Sequence, residues 1–183
     1  MSIHPFKFFQ KPFMLFLSIL LAGSMLGSSF ASAEPQPPSQ TAGGILSYEA
    51  EASQNTFTGN AGAVDCGFCS AGQKAGNLYG GSTLTFNGIQ ADKAGIYNMN
   101  MFYISGDSRA ASISVNGAEK ENFSFPKTAD WNTIGTYEIH IYLNQGSNTI
   151  LFDDAGGYSP DFDKIELTFD SAGDDGSGPD GSI

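Results

Sequence analysis

The sequence predicts an all-β protein, a β-sandwich of the jelly-roll type with two antiparallel sheets and about eight or nine strands. Two observations predict this class. After residue 44, short segments of alternating apolar and polar residues recur, which is the period of a half-buried strand, and helical periodicity is hard to find. Turn residues, including many of the chain's 23 glycines, separate these segments. Two packed antiparallel sheets bury such a set of strands within one domain.

The candidate strands follow one another at short intervals. The clearest covers residues 136–143, where Tyr137 and every second residue after it point inward and the residues between them point outward. Asn116-Gly117 is a strong hairpin signal after another segment. The expected strands are residues 45–51, 82–89, 95–105, 111–115, 123–125, 136–143, 149–152 and 162–169.

The chain begins with a pattern typical of a secretory signal peptide. Lys7 and Lys11 precede an apolar stretch over residues 13–26, and residues 31–33 (Ala-Ser-Ala) offer a small-residue cleavage site. A retained anchor helix is the alternative, but the apolar run is shorter than the roughly 20 residues that a spanning helix needs. We therefore assign residues 1–33 to a signal peptide and expect a secreted, extracellular protein with no membrane contact after cleavage.

Two linkers flank the expected domain. Residues 34–44 begin with a proline-rich run and predict a short disordered linker, and residues 170–183 predict a disordered acidic tail of Gly, Asp and Ser. Residues 45–169 lie between them and, at about 125 residues, have the size of one domain. This organisation is typical of a module carried beside others, or of a fragment of a longer chain.

The charge of the chain limits its partners. It has 8 basic and 19 acidic side chains and a formal net charge of −11. Removing residues 1–33, which hold two lysines and no acidic residue, leaves 6 basic and 19 acidic side chains and a net charge of −13. Such an acidic surface argues against nucleic acid and anionic lipid as partners. It is compatible with cations and with neutral ligands.

Cys66 and Cys69 are the only cysteines. A secreted protein is exposed to oxidation, and the loop composition of residues 65–70 favours a disulfide that pins a loop. Half of a zinc site and a redox centre are the alternatives. Zinc would need two further ligands, whereas His140 is the only histidine after residue 33. A redox motif normally opens a helix after a strand, which this segment does not resemble.

Two acidic pairs lie at opposite ends of the expected domain, Glu49 with Glu51 and Asp161 with Asp163. The i, i+2 spacing places both carboxylates of a pair on the same side of an extended strand. If the first and last strands are neighbours, up to four carboxylates converge. Such a cluster raises the pKa of its members or binds a cation, and a set of oxygen ligands suits calcium. The alternative is two independent, solvated strand ends.

A series of short motifs runs through the domain in a characteristic order. The motifs are Tyr48-Glu49-Ala50-Glu51, residues 69–78, residues 95–97, Tyr103 with Gly106 and Arg109, residues 113–117, residues 128–131, Leu143 with Gly146, residues 148–150 and residues 160–165. No single motif is specific, but the ordered series resembles the carbohydrate-binding modules of families 6 and 35, with family 35 the closer match. The resemblance covers about residues 45–169. It implies a non-catalytic, sugar-binding jelly roll, usually attached to a secreted glycoside hydrolase.

The resemblance also implies a structural calcium ion near the ends of the domain. Glu49, Glu51 and Asp163 match the metal-ligand positions of these families. A backbone carbonyl from residues 72–74, with Gln73 at their centre, completes the set that the resemblance implies. Because such an ion would tie the first strand to the last, we expect it to contribute to folding stability rather than to chemistry.

In these families the sugar commonly lies among loops at one rim of the sandwich. Trp131 lies in a polar loop ahead of a strand and matches the stacking position, since an indole packs on the C–H face of a sugar ring. Burial in the core is the alternative for a lone tryptophan. Arg109 matches a recurrent arginine that could position an anionic sugar, and a structural role is its alternative.

Four further residues belong to the expected ligand site. Asp161 matches a polar ligand contact that is frequently asparagine in family 6, and an acid there accepts hydrogen bonds but does not donate them. Asn77 lies where family 6 members often present a second aromatic side chain. Tyr79 or Tyr158 could supply that ring instead.

The sequence offers no catalytic set of residues. A glycosidase needs two carboxylates about 5–10 Å apart across a cleft, and the best-placed acids are assigned to the metal. His140 lies on the outward face of a strand without an obvious orienting acid, so a Ser-His-Asp triad is unsupported. We expect a monomeric, non-catalytic binder of a polysaccharide or oligosaccharide that contains galactose, mannose or a uronate. The alternative is a calcium-stabilised structural or adhesion module without a defined sugar site.

Overall fold

The computed structural model describes residues 39–41 and 44–171. The predicted signal peptide and most of the predicted tail lie outside these residues. The described part contains twelve strands and one short 3-10 helix, Ser70–Gly72, and no helix in it is long and apolar enough to cross a membrane. The strands are β1 (Ser39–Thr41), β2 (Ile45–Glu49), β3 (Thr56–Thr58), β4 (Gly62–Asp65), β5 (Gln73–Gly76), β6 (Thr83–Ala91), β7 (Gly95–Ile104), β8 (Arg109–Val115), β9 (Glu121–Phe125), β10 (Gly135–Leu143), β11 (Gly146–Asp153) and β12 (Asp161–Ser171).

The strands form two sheets, and every pairing between them is antiparallel. In the first sheet, β12 pairs with β7 along one edge and with β2 and β5 along the other. β1, β4 and β10 extend this sheet beside β2, β5 and β7 respectively. The second sheet has the order β3-β6-β11-β8-β9. The first and last long strands of the domain are therefore neighbours, as the argument from the acidic pairs requires.

One apolar core fills the space between the sheets. Phe152 of the second sheet contacts Phe162 of the first, with ring centroids 4.8 Å apart, and Phe86 and Phe125 join the same group of rings. All four side chains are fully buried. They occupy inward positions of their strands, so the alternation in the sequence decides which side chains form the core.

The predicted β-sandwich is confirmed, and the structure adds short strands to it. The pattern predicted about eight or nine strands, and the described residues contain twelve. The additional strands β1, β3, β4 and β5 have three or four residues each, too few for an alternating pattern to stand out. β1 pairs with β2 and lies within residues 34–44, so part of the predicted linker is a sheet strand.

The Asn116-Gly117 turn forms as predicted. The amide of Ala118 donates to the carbonyl of Val115 at 3.0 Å, and the two central residues have φ values of 52° and 74°. Positive φ at both central positions defines a type I′ turn, whose twist matches that of the strands it joins.

Four loops meet at one rim of the sandwich. Asp161, which begins β12, pairs with Ile104, which ends β7, and Gly135 at the start of β10 pairs with Tyr103. Asp153 at the end of β11 pairs with Thr83 at the start of β6. Since these strand ends lie side by side, the loops that connect them project together. We call residues 77–82, 105–108, 126–134 and 154–160 the rim loops.

Candidate functional site

Two of the most exposed large side chains of the described residues lie on the rim loops. Trp131 has 42% of its surface exposed and Tyr158 has 61%. The loop that carries Trp131 is held by Asp130, whose carboxylate accepts hydrogen bonds from the amide of Asn132 and the hydroxyl of Thr133, both at 2.8 Å. These bonds lower the pKa of Asp130. The indole is therefore presented to solvent on a structured loop, and it is not part of the core.

Arg109 joins the two exposed rings. Its guanidinium carbon lies 4.5 Å from the centroid of the Trp131 ring and 5.4 Å from that of Tyr158. Its Nε donates to a carboxylate oxygen of Asp107 at 2.7 Å, and Nη1 donates to the carbonyl of Ser159 at 3.0 Å. A guanidinium attracted to two aromatic rings and held by two hydrogen bonds is fixed in place.

A second aromatic contact continues this line. The rings of Tyr79 and Tyr158 lie 5.0 Å apart at an interplanar angle of 33°, and the two residues form an isolated β-bridge. Asn77 is exposed on the same loop with φ 62°, a conformation that asparagine tolerates. The rim thus carries a row of side chains in the order Trp131, Arg109, Tyr158 and Tyr79. Asn77 precedes Tyr79 by two residues in the sequence.

Asp161 has a different environment from the one expected of a free ligand contact. Its carboxylate accepts from the ammonium group of Lys74 at 2.6 Å, and the side chains are only 18% and 13% exposed. A Cβ at Gly76 would lie 3.3 Å from Oδ1 of Asp161, so the backbone of β5 also approaches the carboxylate closely. The ion pair neutralises the charge of Asp161 at the base of the rim.

A cavity of about 480 Å³ opens beside the aromatic row. Its walls include Arg109, Tyr158, Asp107, Ser108 and Gly157. Cavities of this size are typical of small-molecule sites. Charged, hydroxyl and aromatic groups converge on it from two rim loops and the start of β8.

Gly106 lies directly under Trp131. An ideal Cβ at this glycine would lie 2.2 Å from Nε1 of the indole and 2.6 Å from both ring atoms bonded to that nitrogen. These three distances correspond to right angles at Nε1, which places the point above the face of the ring rather than in its plane. Only a residue without a side chain allows the indole to lie there. Gly106 appeared in the motif series, but nothing in its sequence context indicated this contact.

Three acidic side chains meet where β2, β5 and β12 adjoin. The hydroxyl oxygen of Ser70 lies 2.6 Å from Oε2 of Glu49 and 3.0 Å from Oδ1 of Asp163. Burial raises the pKa of Glu49 and of Asp163 and raises the pKa of Glu51 to about 7, and the neighbouring carboxylates add to the increase for Glu49 and Glu51. The structure therefore brings Glu49, Glu51 and Asp163 together, whereas Asp161 belongs to the rim.

The donor atoms of this cluster fit a hard cation. Oε2 of Glu51 is buried and has no hydrogen-bond partner among the described residues. The single hydroxyl proton of Ser70 can satisfy only one of the two carboxylates that it contacts. Within residues 44–171, no three acidic, histidine or cysteine side chains are arranged to hold a metal ion by themselves, so backbone oxygens would have to complete the site. The side-chain amide of Gln73 donates to Oδ1 of Asp65 at 3.1 Å, and the predicted contribution of this residue is its backbone carbonyl.

The predicted disulfide between Cys66 and Cys69 is present. It closes the loop that leads into the Ser70–Gly72 helix, and the amide of Cys66 donates to the carbonyl of Gly72 at 2.9 Å. Ser70 follows Cys69 directly, so the disulfide fixes the backbone next to the hydroxyl that contacts Glu49 and Asp163.

A second cavity, of about 530 Å³, lies at the opposite end of the sandwich. It opens between the last part of β10 and the hairpin that joins β8 to β9, with Ile113, Val115, Phe123 and Ile139 among its apolar wall residues. None of the predicted ligand residues contributes to it. The aromatic row and the predicted ligand residues lie at the other end, on or beside the rim loops.

Comparison with known proteins identifies the class to which this sandwich belongs. A family model described as "CBM13-like: Alpha-galactosidase, CBM13 domain" matches residues 83–167. The family 35 carbohydrate-binding module from Clostridium thermocellum is 37% identical with a TM-score of 0.64, covering 67% of this chain and 97% of that one. A fold of two antiparallel sheets with exposed rim aromatics and these matches define a carbohydrate-binding module.

The chain belongs to family 35 of the carbohydrate-binding modules. The family 35 module from Paenibacillus barcinonensis is 29% identical with a TM-score of 0.63, covering 68% of this chain and 98% of that one. An exo-β-1,3-galactanase from Phanerochaete chrysosporium, solved with galactose, is 27% identical with a TM-score of 0.64, and the match covers 70% of this chain but 30% of the enzyme. The comparison with curated proteins gave no match.

Proposed function

We propose that this module binds a neutral saccharide chain reversibly at the rim, with galactose-containing glycans as the first candidates. The observation that carries the proposal is the guanidinium of Arg109 held against the exposed rings of Trp131 and Tyr158 beside the 480 Å³ cavity. Aromatic faces pack on the C–H faces of sugars, while the hydroxyl groups need directed hydrogen bonds. Asp107 and Ser108 line the cavity and offer such bonds.

The charges at the rim favour a neutral glycan over a uronate. Arg109 is paired with Asp107, and Lys74 is paired with Asp161, so neither cation is left to attract a carboxylate. The chain as a whole carries a net charge of −11. An anionic polysaccharide therefore meets a net repulsive field. The galactose bound to the related galactanase and the α-galactosidase family model support a galactose-containing ligand.

We further propose that a calcium ion stabilises the module where β2, β5 and β12 adjoin. Glu49, Glu51 and Asp163 would hold it, together with backbone carbonyls such as that of Gln73. The unpartnered carboxylate oxygen of Glu51 supports this assignment. A bound ion would neutralise the acidic cluster. Because Glu49 ends β2 and Asp163 belongs to β12, shared coordination by these residues would hold the two strands together.

The proposal assigns no catalytic role to this module. It acts as a secreted ancillary domain, and the predicted signal peptide and the disulfide, which suits an oxidising compartment, support secretion. Affinity for a single site should be weak, because a shallow rim buries little of a hydrated ligand.

The proposal is tested by calorimetric titration of the purified protein with β-1,3-galacto-oligosaccharide, manno-oligosaccharide and oligogalacturonate. We expect binding to a neutral ligand, weakened about tenfold or more by Trp131→Ala or Tyr158→Ala, because each removes a stacking surface. Tyr142→Ala is the matched control, since Tyr142 is 40% exposed but lies away from the rim loops. Equal losses in all three variants, or no binding to any of the glycans, would favour a structural or adhesion module.

A further inference from the structure

Asp154 is a buried acid that links two of the rim loops. It follows β11 directly, and only 6% of its surface is exposed. Its Oδ2 accepts a hydrogen bond from the amide of Gly81, on the loop between β5 and β6, at 2.6 Å. Its Oδ1 accepts from the amide of Gly156, on its own loop, at 3.0 Å. The carboxylate thus holds one loop in a turn and joins it to the next.

The two loops that Asp154 links are those that carry the tyrosine pair. Tyr79 precedes Gly81 by two residues, and Tyr158 follows Gly156 by two. Apart from the Asp154 bonds, the amide of Ser159 donates to the carbonyl of Leu78 at 3.0 Å, close to the ring contact of Tyr79 with Tyr158. The connection between the loops therefore depends on a few bonds, of which the bond from Gly81 to Asp154 is the shortest.

A contribution to the stability of the fold does not by itself explain why an acid is buried at position 154. Asp154 forms no ion pair with any residue between 44 and 171, and a buried carboxylate without a counterion is costly to desolvate. A carboxylate does offer what no neutral side chain of this size offers, two acceptor oxygens for two amides from different loops. An asparagine would present an NH2 group to one of those amides, which would leave that amide unsatisfied.

We infer that Asp154 is a positioning residue of the saccharide site. By joining the loops of residues 77–82 and 154–160, it holds Tyr158 against Tyr79 and beside Arg109 before the ligand arrives. A ring that is already ordered costs less to bind against than one that must be immobilised. This inference rests on the proposed function, since it assumes that the tyrosine row contacts the sugar.

The test compares Asp154→Asn with the wild-type protein in two measurements. The first is the dissociation constant for the neutral oligosaccharide, which we expect to rise about fivefold to tenfold, the cost of ordering a side chain on binding. The second is the nuclear Overhauser effect between the rings of Tyr79 and Tyr158 in the ligand-free protein, which we expect to weaken or vanish.

Asn148→Asp is the matched control. Asn148 is also buried, with 1% of its surface exposed, and it pins the loop between β10 and β11 at the opposite end of the sandwich. Its substitution should lower the melting temperature without changing either rim measurement. If Asp154→Asn does not fold, Asp154→Ser replaces it, because a serine hydroxyl can keep the local bond to Gly156 but lacks the second oxygen for Gly81.

The outcomes separate the inference from the function on which it rests. An Asp154 variant that is folded, keeps the ring contact and binds within twofold of wild type would overturn the positioning role. An equal loss of affinity in Asn148→Asp would overturn it as well, because general destabilisation would then explain the effect. If the wild-type protein binds none of the glycans, the proposed function fails, whereas the ring contact still decides whether Asp154 positions the tyrosines.

Discussion

Gly106 and Trp131 form a contact that a single methyl group would disrupt. The backbone at Gly106 lies against the face of the indole, and a Cβ there would come within 2.2 Å of Nε1. Since neither ring nor backbone can absorb such an overlap, the indole of a Gly106→Ala variant has to leave its position. Trp131 is 42% exposed, so this movement should affect the core little.

We therefore expect Gly106→Ala to weaken glycan binding by about tenfold, comparable to the loss of the stacking ring itself, with a small change in melting temperature. Gly62→Ala is the matched control, because a Cβ at Gly62 meets nothing within 4 Å. Fluorescence of Trp131, the only tryptophan of the chain, reports whether the indole has moved. Unchanged fluorescence and unchanged affinity in Gly106→Ala would show that the contact does not position the ring.

At the scale of residues, the sequence indicated which side chains to consider but not their partners. Motif positions selected Trp131 and Arg109, and the search for a second ring selected Tyr158. The structure places these three side chains together. The ion pair of Lys74 with Asp161 could not be predicted in this way. It depends on the pairing of β5 with β12, two segments that are far apart in the sequence. The contact of Asp154 could not be predicted for the same reason, because it joins Asp154 to Gly81, 73 positions away in the sequence.

The acidic cluster where β2, β5 and β12 adjoin makes a prediction about stability. Without metal, burial raises the pKa of Glu51 to about 7 from an ordinary value of 4.5, so the folded protein binds more protons than the unfolded chain between these pH values. The free energy of unfolding must then fall as the pH rises through this window. The raised pKa values of Glu49 and Asp163 act in the same direction.

The measurement is the melting temperature in chelator and in calcium, from pH 4.5 to pH 7.5. In chelator we expect it to fall as the pH rises, and calcium should restore it most at the upper end, where the carboxylates are ionised. Glu51→Gln should flatten the pH dependence in chelator and reduce the effect of calcium. A melting temperature that changes with neither pH nor calcium would contradict the assignment of this cluster as a calcium site.

At the scale of elements, alternation predicted the long strands and the type of sheet. The hairpin at Asn116-Gly117 was predictable because its two residues have a strong local preference for positive φ. The short strands β3, β4 and β5 were not, because three or four residues pair only where a longer neighbour presents an edge to them. The disulfide followed from loop composition and the expected compartment, both of which are local properties of the sequence.

The whole molecule places its candidate ligand site at one end. The aromatic row and the ion pairs Arg109–Asp107 and Lys74–Asp161 lie on the rim loops and the strand ends beside them. The cavity at the other end has an apolar wall that includes Ile139 and Phe123. Strand order determines this separation, since β8 begins at one end and turns into β9 at the other. Chain-wide alternation could predict a sandwich, but it could not predict which loops share a rim, because that depends on how the strands pair.

Amide and indole NMR spectra recorded during titration with a neutral galacto-oligosaccharide test the central claim most directly. The account predicts that the indole N–H signal of Trp131 and the amides around Tyr158 and Arg109 shift together and saturate, while signals from Ile139 and Phe123 stay in place. Shifts confined to the opposite cavity, or no saturable shift at the rim with any neutral glycan, would contradict it.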